Sequence, residues 1–183
     1  EAHMDCQHTP EKRQWLARFP GGMTFYLGCH LIDLILRIMG DPEEIIPMNK
    51  STGIDGVTGE DYGFVVFKYK SGISFAKTCA AEPGGFERRQ LVICGSKGTI
   101  ELYPLEDYDS NWNIFTGVRY TPAEKGKDWN YSAPVINSAA ADRYDEMMSS
   151  FARMVCGETE NPYTLDYELK LYKTLLCSCG VNQ

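Results

Sequence analysis

Tyr26, His30 and Asp33 are the residues whose types and spacing best suit them to chemistry. They fall in the run Gly21-Gly22-Met23-Thr24-Phe25-Tyr26-Leu27-Gly28-Cys29-His30-Leu31-Ile32-Asp33, which reads as a largely apolar helix. Four residues separate Tyr26 from His30, so on a helix the two stack on one face roughly 6 Å apart. Asp33 lies three residues further, on an adjoining face. A neutral imidazole can exchange a proton with a substrate hydroxyl near neutral pH, and a nearby phenol or carboxylate can orient it. The plainer alternatives are a core histidine satisfied by a backbone carbonyl, and an Asp33 neutralised by Arg37 four residues on. Gly28 costs helix propensity inside this run, and close approach by backbone or ligand would compensate.

Other polar groupings are weaker. His3, Asp5, Cys6 and His8 look like metal ligands, but on a strand His3 and Asp5 share one face while Cys6 and His8 share the other. No metal is expected there. Cys177-Ser178-Cys179 lacks zinc-ribbon spacing and a second pair. Gly95-Ser96-Lys97-Gly98-Thr99 resembles a phosphate loop at a glance, but β-sequence follows where a helix is required, so it reads as a hairpin turn. No strand leads into Gly21-Gly22, and no dinucleotide fingerprint is present. The sequons Asn49-Lys50-Ser51 and Asn130-Tyr131-Ser132 carry little meaning without a secretory context.

The elements that position these residues follow from capping and periodicity. Thr9-Pro10-Glu11 starts a short helix, with a capping hydroxyl, proline at the first position and acid in the first turn. It ends before Pro20-Gly21-Gly22. The histidine-bearing helix runs to about Met39 and stops at Gly40-Asp41-Pro42. Tyr62 to Tyr69 and Ile73 to Cys79 form a hairpin about Ser71-Gly72, and Gln90 to Cys94 with Thr99 to Leu102 form a second. Ser74, Ala76, Thr78 and Ala80 make one face of the first hairpin small and flat, fit for a second sheet, a subunit or a helix. Strands are expected at Glu44 to Met48 and around Asn113 to Tyr120, and a polar surface loop over Thr121 to Asn137. Two amphipathic helices close the chain. Tyr144, Met147, Met148, Phe151, Met154 and Val155 stripe the first; Leu165, Leu169, Tyr172, Leu176 and Cys179 stripe the second. Both stripes are expected to face a core.

Composition sets the outer bounds. The 183 residues, 43% hydrophobic and 23% charged, suit a soluble domain with a sizeable core. A net charge of -7 argues against nucleic acid. The longest apolar run, near Leu31 to Met39, is broken by Asp33 and Arg37 and is too short for a membrane span. Seven cysteines, an odd number scattered among apolar residues, suit free thiols in a reducing compartment, hence a cytoplasmic location. The chain opens at Glu1 with neither initiator methionine nor leader, and reads as a fragment of a longer protein.

From about Trp15 onward the sequence resembles the C-terminal domain of the Gfo/Idh/MocA family. Three blocks carry the resemblance: Gly21-Gly22 through Gly28-Cys29-His30-Leu31-Ile32-Asp33 to Gly40-Asp41-Pro42; the hairpins ending in Ile93-Cys94-Gly95-Ser96-Lys97-Gly98-Thr99-Ile100-Glu101; and the closing helix pair. The resemblance implies an α+β domain with an open, mainly antiparallel β-sheet and helices on one face, like the C-terminal domain of glyceraldehyde-3-phosphate dehydrogenase. Residues 1–183 would be one substrate-binding and oligomerisation domain, without a Rossmann domain. It implies oxidation or reduction of a sugar, cyclitol or related polyol with NAD or NADP, the nucleotide held mainly by an N-terminal domain absent here. This chain alone would bind no cofactor and be inactive.

The family's histidine maps onto His30. The residue four before it is often an aspartate in the family, and here it is Tyr26, which puts the usual acid–base pair in question. Tyr26 is a candidate partner to His30; Arg13, Trp15 and Asp33 are candidate substrate contacts. A homo-oligomer through the sheet face is expected. An NAD-dependent glycosidase of the same family and a non-catalytic assembly module are the alternatives.

Overall fold

The structure, a computed structural model, describes residues 1–129 and 133–181; the sequon at Asn130-Tyr131-Ser132 lies outside the described residues. The chain divides into two compact units, residues 1–90 with 169–183, and residues 91–168.

In the first unit the strands β1 (Ala2–Asp5), β2 (Glu44–Pro47), β3 (Tyr62–Tyr69) and β4 (Gly72–Cys79) lie in the order β1-β4-β3-β2. The β3–β4 hairpin closes at the Tyr69–Gly72 pair, as the Ser71-Gly72 turn predicts. β2 joins β3 antiparallel, whereas β1 joins β4 in parallel, with Met4 opposite Thr78. Burial alternates along β3 with Gly63, Val65 and Phe67 inward, and along β4 with Ser74, Ala76 and Thr78 inward.

The small face of β4 is taken by a helix of its own chain, the helix alternative that its small residues allowed. Helix α1 (Pro10–Trp15), capped by Thr9, leads through a short 3-10 turn at Leu16–Arg18 to a π-helical turn at Thr24–Gly28 and then α2 (Cys29–Met39). The π turn packs on β3 and β4, and α2 packs on β1 and β4. Gly63 permits the close approach, since a Cβ there would stand 2.0 Å from Thr24 Oγ1. Gly28 also faces the sheet, but a Cβ on it would make only ordinary contact with Thr78 at 3.5 Å, so this packing leaves room for a side chain.

Above this contact the Thr24 hydroxyl donates to Asn49 Oδ1 at 2.7 Å, and Asn49 Nδ2 donates to the Ser178 carbonyl at 3.0 Å. Asn49 is thereby a structural amide that links the π turn to the end of α4. Met23, Leu31, Ile32, Val65 and Phe67 fill the core beneath. Gly40, at φ +75°, ends α2 as the sequence predicts.

In the second unit, β5 (Gln90–Gly95), β6 (Gly98–Leu102), β9 (Gly117–Pro122) and β10 (Ile136–Asn137) pair antiparallel in that order, and β7 (Asp107–Tyr108) with β8 (Ile114–Phe115) make a separate small hairpin. The Gly95-to-Gly98 segment is the expected hairpin turn. The strand expected around Asn113 to Tyr120 is divided at Thr116 and runs on to Pro122, so the polar loop begins later than predicted.

The closing helices depart from expectation. On α3 (Asp145–Val155), Met147, Met148, Phe151 and Val155 are all more than half exposed. On α4 (Leu165–Ser178), Leu165, Leu169 and Tyr172 are exposed, while Leu175 and, just past the helix, Cys179 are buried. Periodicity reports which face a helix would bury; it does not say that the same chain supplies the cover. All seven cysteines are free thiols, and no helix among the described residues is long and apolar enough to cross a membrane.

Candidate functional site

Helix α1 and the π turn bring an aromatic and cationic cluster together in the first unit. Trp15 meets Tyr26 edge to face, with ring centres 5.8 Å apart at 90°, and meets Phe19 at 4.8 Å. Phe19 stacks on Phe25 at 5.5 Å. The Lys12 ammonium sits over both rings of the central pair, 3.9 Å from the centre of Trp15 and 4.4 Å from that of Tyr26. Lys12 and Trp15 are three apart on α1, which puts them on one face.

His8 reaches Tyr26 from the other side, ring centres 6.1 Å apart. Its backbone N–H donates to the Ala80 carbonyl at 2.8 Å, fixing it just beyond β1. Its Nε2 is buried with no partner among the described residues. Burial, then the charges of Lys12 and Arg89, push the imidazole below its usual 6.5. A cleft of about 540 Å³ opens beside it, lined among others by His8, Thr9, Arg13, Asp55 and Ala81.

Arg13 is not the surface cation its helix position suggests. It is 3% exposed, and its guanidinium donates to Asp61 at 3.2 Å, to the Ile54 carbonyl at 3.3 Å and to Asp55. Asp61, fully buried, also accepts from the Thr52 backbone N–H at 2.7 Å and the Thr52 hydroxyl at 2.8 Å. Arg13 thus tethers the loop between β2 and β3, whose residues Gly53, Asp55 and Gly56 all have positive φ. A buried guanidinium between two carboxylates is costly to leave half-paired, so this residue is committed to the loop.

His30 is exposed on the first turn of α2, and its imidazole has no hydrogen-bond, ion-pair or ring partner among the described residues. The structure does not bring it into ring contact with Tyr26. The π turn inserts an extra residue between the two faces, and Tyr26 turns toward Trp15 and His8 instead. Asp33 pairs with Arg37 at 3.0 Å, the structural alternative foreseen from their spacing. The core-histidine reading of His30 falls, since the ring is in solvent.

Sequence reasoning passed over Lys12, though its i, i+3 pairing with Trp15 was a visible signal, and read His8 only within a metal-like cluster; its place beside Tyr26 depends on the chain pairing beyond β1.

Among the described residues no group of three or more His, Cys, Asp or Glu side chains could hold a metal. Nor does a strand, glycine loop and helix come together as a dinucleotide cradle. Gly21 and Gly22 follow a 3-10 turn and pack against Cys179 and Glu60, and the Gly95–Gly98 turn joins two strands. Neither glycine segment therefore has the build of a dinucleotide cradle.

The fold is α+β with a mainly antiparallel sheet, and the helix packed on β1 and β4 carries an exposed histidine, with an aromatic–cationic cluster at its start. The chain belongs to the Gfo/Idh/MocA family: the model of the GFO/IDH/MocA C-terminal domain matches residues 1–101.

Solved structures share the fold. One, an oxidoreductase from Bacillus cereus, is 15% identical with a TM-score of 0.68, covering 100% of this chain and 56% of that one. A Desulfitobacterium hafniense protein provisionally assigned as an NADPH-dependent oxidoreductase is 15% identical with a TM-score of 0.73, covering 98% and 52%. The provisionally assigned oxidoreductase YvaA from Bacillus subtilis is 15% identical with a TM-score of 0.69, covering 98% and 54%. This chain spans about half the length of the structures it matches. No curated protein matches in sequence.

Proposed function

We propose that this chain is the substrate domain of an NAD(P)-dependent oxidoreductase acting on a sugar, cyclitol or related polyol. Family membership supports the reading, and so does one feature of the site: a solvent-facing His30 on the helix that also presents Tyr26 to the Lys12–Trp15 cluster. An exposed imidazole can accept a hydroxyl proton, and aromatic faces beside cations suit the C–H and O–H surfaces of a polyol. The nucleotide would be held by a further domain, of the size by which the matching structures exceed this chain. Location in the cytoplasm belongs to the same proposal, resting on the free thiols.

The test is titration of NAD and NADP into this chain and into the longer protein, followed by a polyol screen read as nicotinamide reduction. Binding and turnover by the longer protein alone are expected, with His30→Ala removing most turnover at unchanged folding. No cofactor binding by either would overturn the reading.

A second reading, a non-catalytic assembly module, is favoured by the separation of Tyr26 from His30 and by the sheet face opposite the helix. There Phe64 stacks on Phe75 at 5.2 Å, and Ile73 is 68% exposed. Self-association in both readings would use this face. An unaffected turnover in His30→Ala would favour the module.

A further inference from the structure

Lys12 is a half-buried cation to which the described residues offer no anion. Two aromatic rings hold its ammonium, 3.9 and 4.4 Å from their centres, and no carboxylate among the described residues pairs with it. Ring faces attract a cation but leave its charge in place.

Glu11, Asp55 and Asp61 are engaged elsewhere. Glu11 turns back to the start of α1, where its own backbone N–H and the Thr9 side chain hold its carboxyl below the usual range. Asp55 and Asp61 are taken by Arg13. The surrounding charge reinforces the imbalance, since Lys12 and Arg89 both disfavour a proton on His8. A neutral His8, with the buried Nε2 unpartnered, keeps its hydrogen-bonding capacity uncommitted beside the same Tyr26 ring. The rings also pin the lysine stem, so that little side-chain entropy remains to be lost when an anion arrives.

The geometry points to Lys12, clamped by Trp15 and Tyr26 and flanked by His8, as the anion-binding point of the substrate site, so that the polyol taken by this domain carries a carboxylate or phosphoryl group. This rests on the polyol reading above and narrows it. The aromatic pair would cover the sugar's apolar face while the ammonium meets its charge, a charge-assisted contact roughly twice as strong as a neutral hydrogen bond.

Calorimetric titration of this chain with glucuronate, glucose 6-phosphate and glucose tests it, with Lys12→Met and Lys12→Arg as variants and thermal melts as the folding control. One charged sugar is expected to bind at least about tenfold more tightly than glucose. Which of the two does so tells carboxylate from phosphoryl. Added salt and Lys12→Met should erase the advantage, while Lys12→Arg should keep most of it. Sugars that bind alike whatever their charge, or a preference that survives Lys12→Met, overturn the anion point and leave the polyol reading standing. Lys12-dependent binding of acetate or inorganic phosphate with no sugar binding upholds the anion point and ends the polyol reading. Binding of none of these probes overturns both.

Discussion

Tyr26 stands edge to face against Trp15, ring centres 5.8 Å apart and planes at 90°, and this contact decides what the tyrosine does in the fold. The ring is 36% exposed, and its hydroxyl has no partner among the described residues. The aromatic body therefore carries the structural role and the phenol carries none. Tyr26→Phe is expected to leave the thermal midpoint unchanged. Tyr26→Ala should cost about 1–2 kcal/mol, the size of one aromatic pair with its partial burial. Thermal melts of both variants check this, and a clear loss in Tyr26→Phe would show that the hydroxyl is engaged.

Gly63 lies under Thr24 with no room for a side chain. A Cβ there would stand 2.0 Å from Thr24 Oγ1 and 2.7 Å from Thr78 Oγ1. Gly63→Ala must lift the π turn off the sheet or rotate Thr24 away from Asn49. A loss of about 1–3 kcal/mol in urea unfolding is expected. Combining it with Thr24→Ala should recover part of that loss, because the two sites share the clash. A neutral Gly63→Ala would mean that the helix is less tightly seated than these distances require.

Arg13 holds two carboxylates, one of them fully buried. Arg13→Met keeps the stem and strands Asp61, which the Thr52 hydrogen bonds alone must then support. The expected cost is about 3–5 kcal/mol. Arg13→Met with Asp61→Asn should be less destabilised than Arg13→Met alone, since the uncompensated charge is gone. Denaturant midpoints of the single and double variants decide it, and equal losses would place the cost in packing rather than charge.

Local signals in the sequence carried much of this fold. Thr9 and Pro10 mark the start of α1, Gly40 the end of α2, and Ser71-Gly72 and Gly95–Gly98 the hairpin turns, because each is set by residues a few positions apart. What escaped depends on distant partners. The parallel β1–β4 pairing joins residues some seventy positions apart in sequence, and with the His8 N–H bond to Ala80 just beyond it places His8 beside Tyr26. The π turn that carries Tyr26 seats Thr24 over Gly63, a contact that helical spacing cannot reveal. The stripe of α3 was legible as apolar, yet Phe151 and Met147 face a surface groove of about 690 Å³ rather than a core. At the site, residue identities at Tyr26, His30 and Trp15 were readable and their pairings were not.

His3 and His8 each make stability depend on pH on the acid side of neutrality. His3 and His8 both have their imidazoles pushed below the usual 6.5, by burial first and by neighbouring cations second: Lys77 for His3, Lys12 and Arg89 for His8. The folded state therefore resists a proton that the unfolded chain accepts near pH 6.5. Their contribution is fully present above that value and is lost as pH falls through the window down to their folded values, below which it is constant.

Asp5 acts with the opposite sign. Burial raises its carboxyl above 3.8 despite Lys77, so the native state takes up its proton first. Stability held by that group returns as pH drops through its raised value toward 3.8. Urea midpoints should fall as pH drops from neutral through the histidine window; below it Asp5 works against the losses brought by Glu11 and Asp109, whose carboxyls hydrogen bonds hold low. His8→Phe should shrink the first decline, because one of its two protons is then absent. An unchanged decline in that variant would mean that His8 titrates alike in the folded and unfolded chain, and that its buried Nε2 has found a partner.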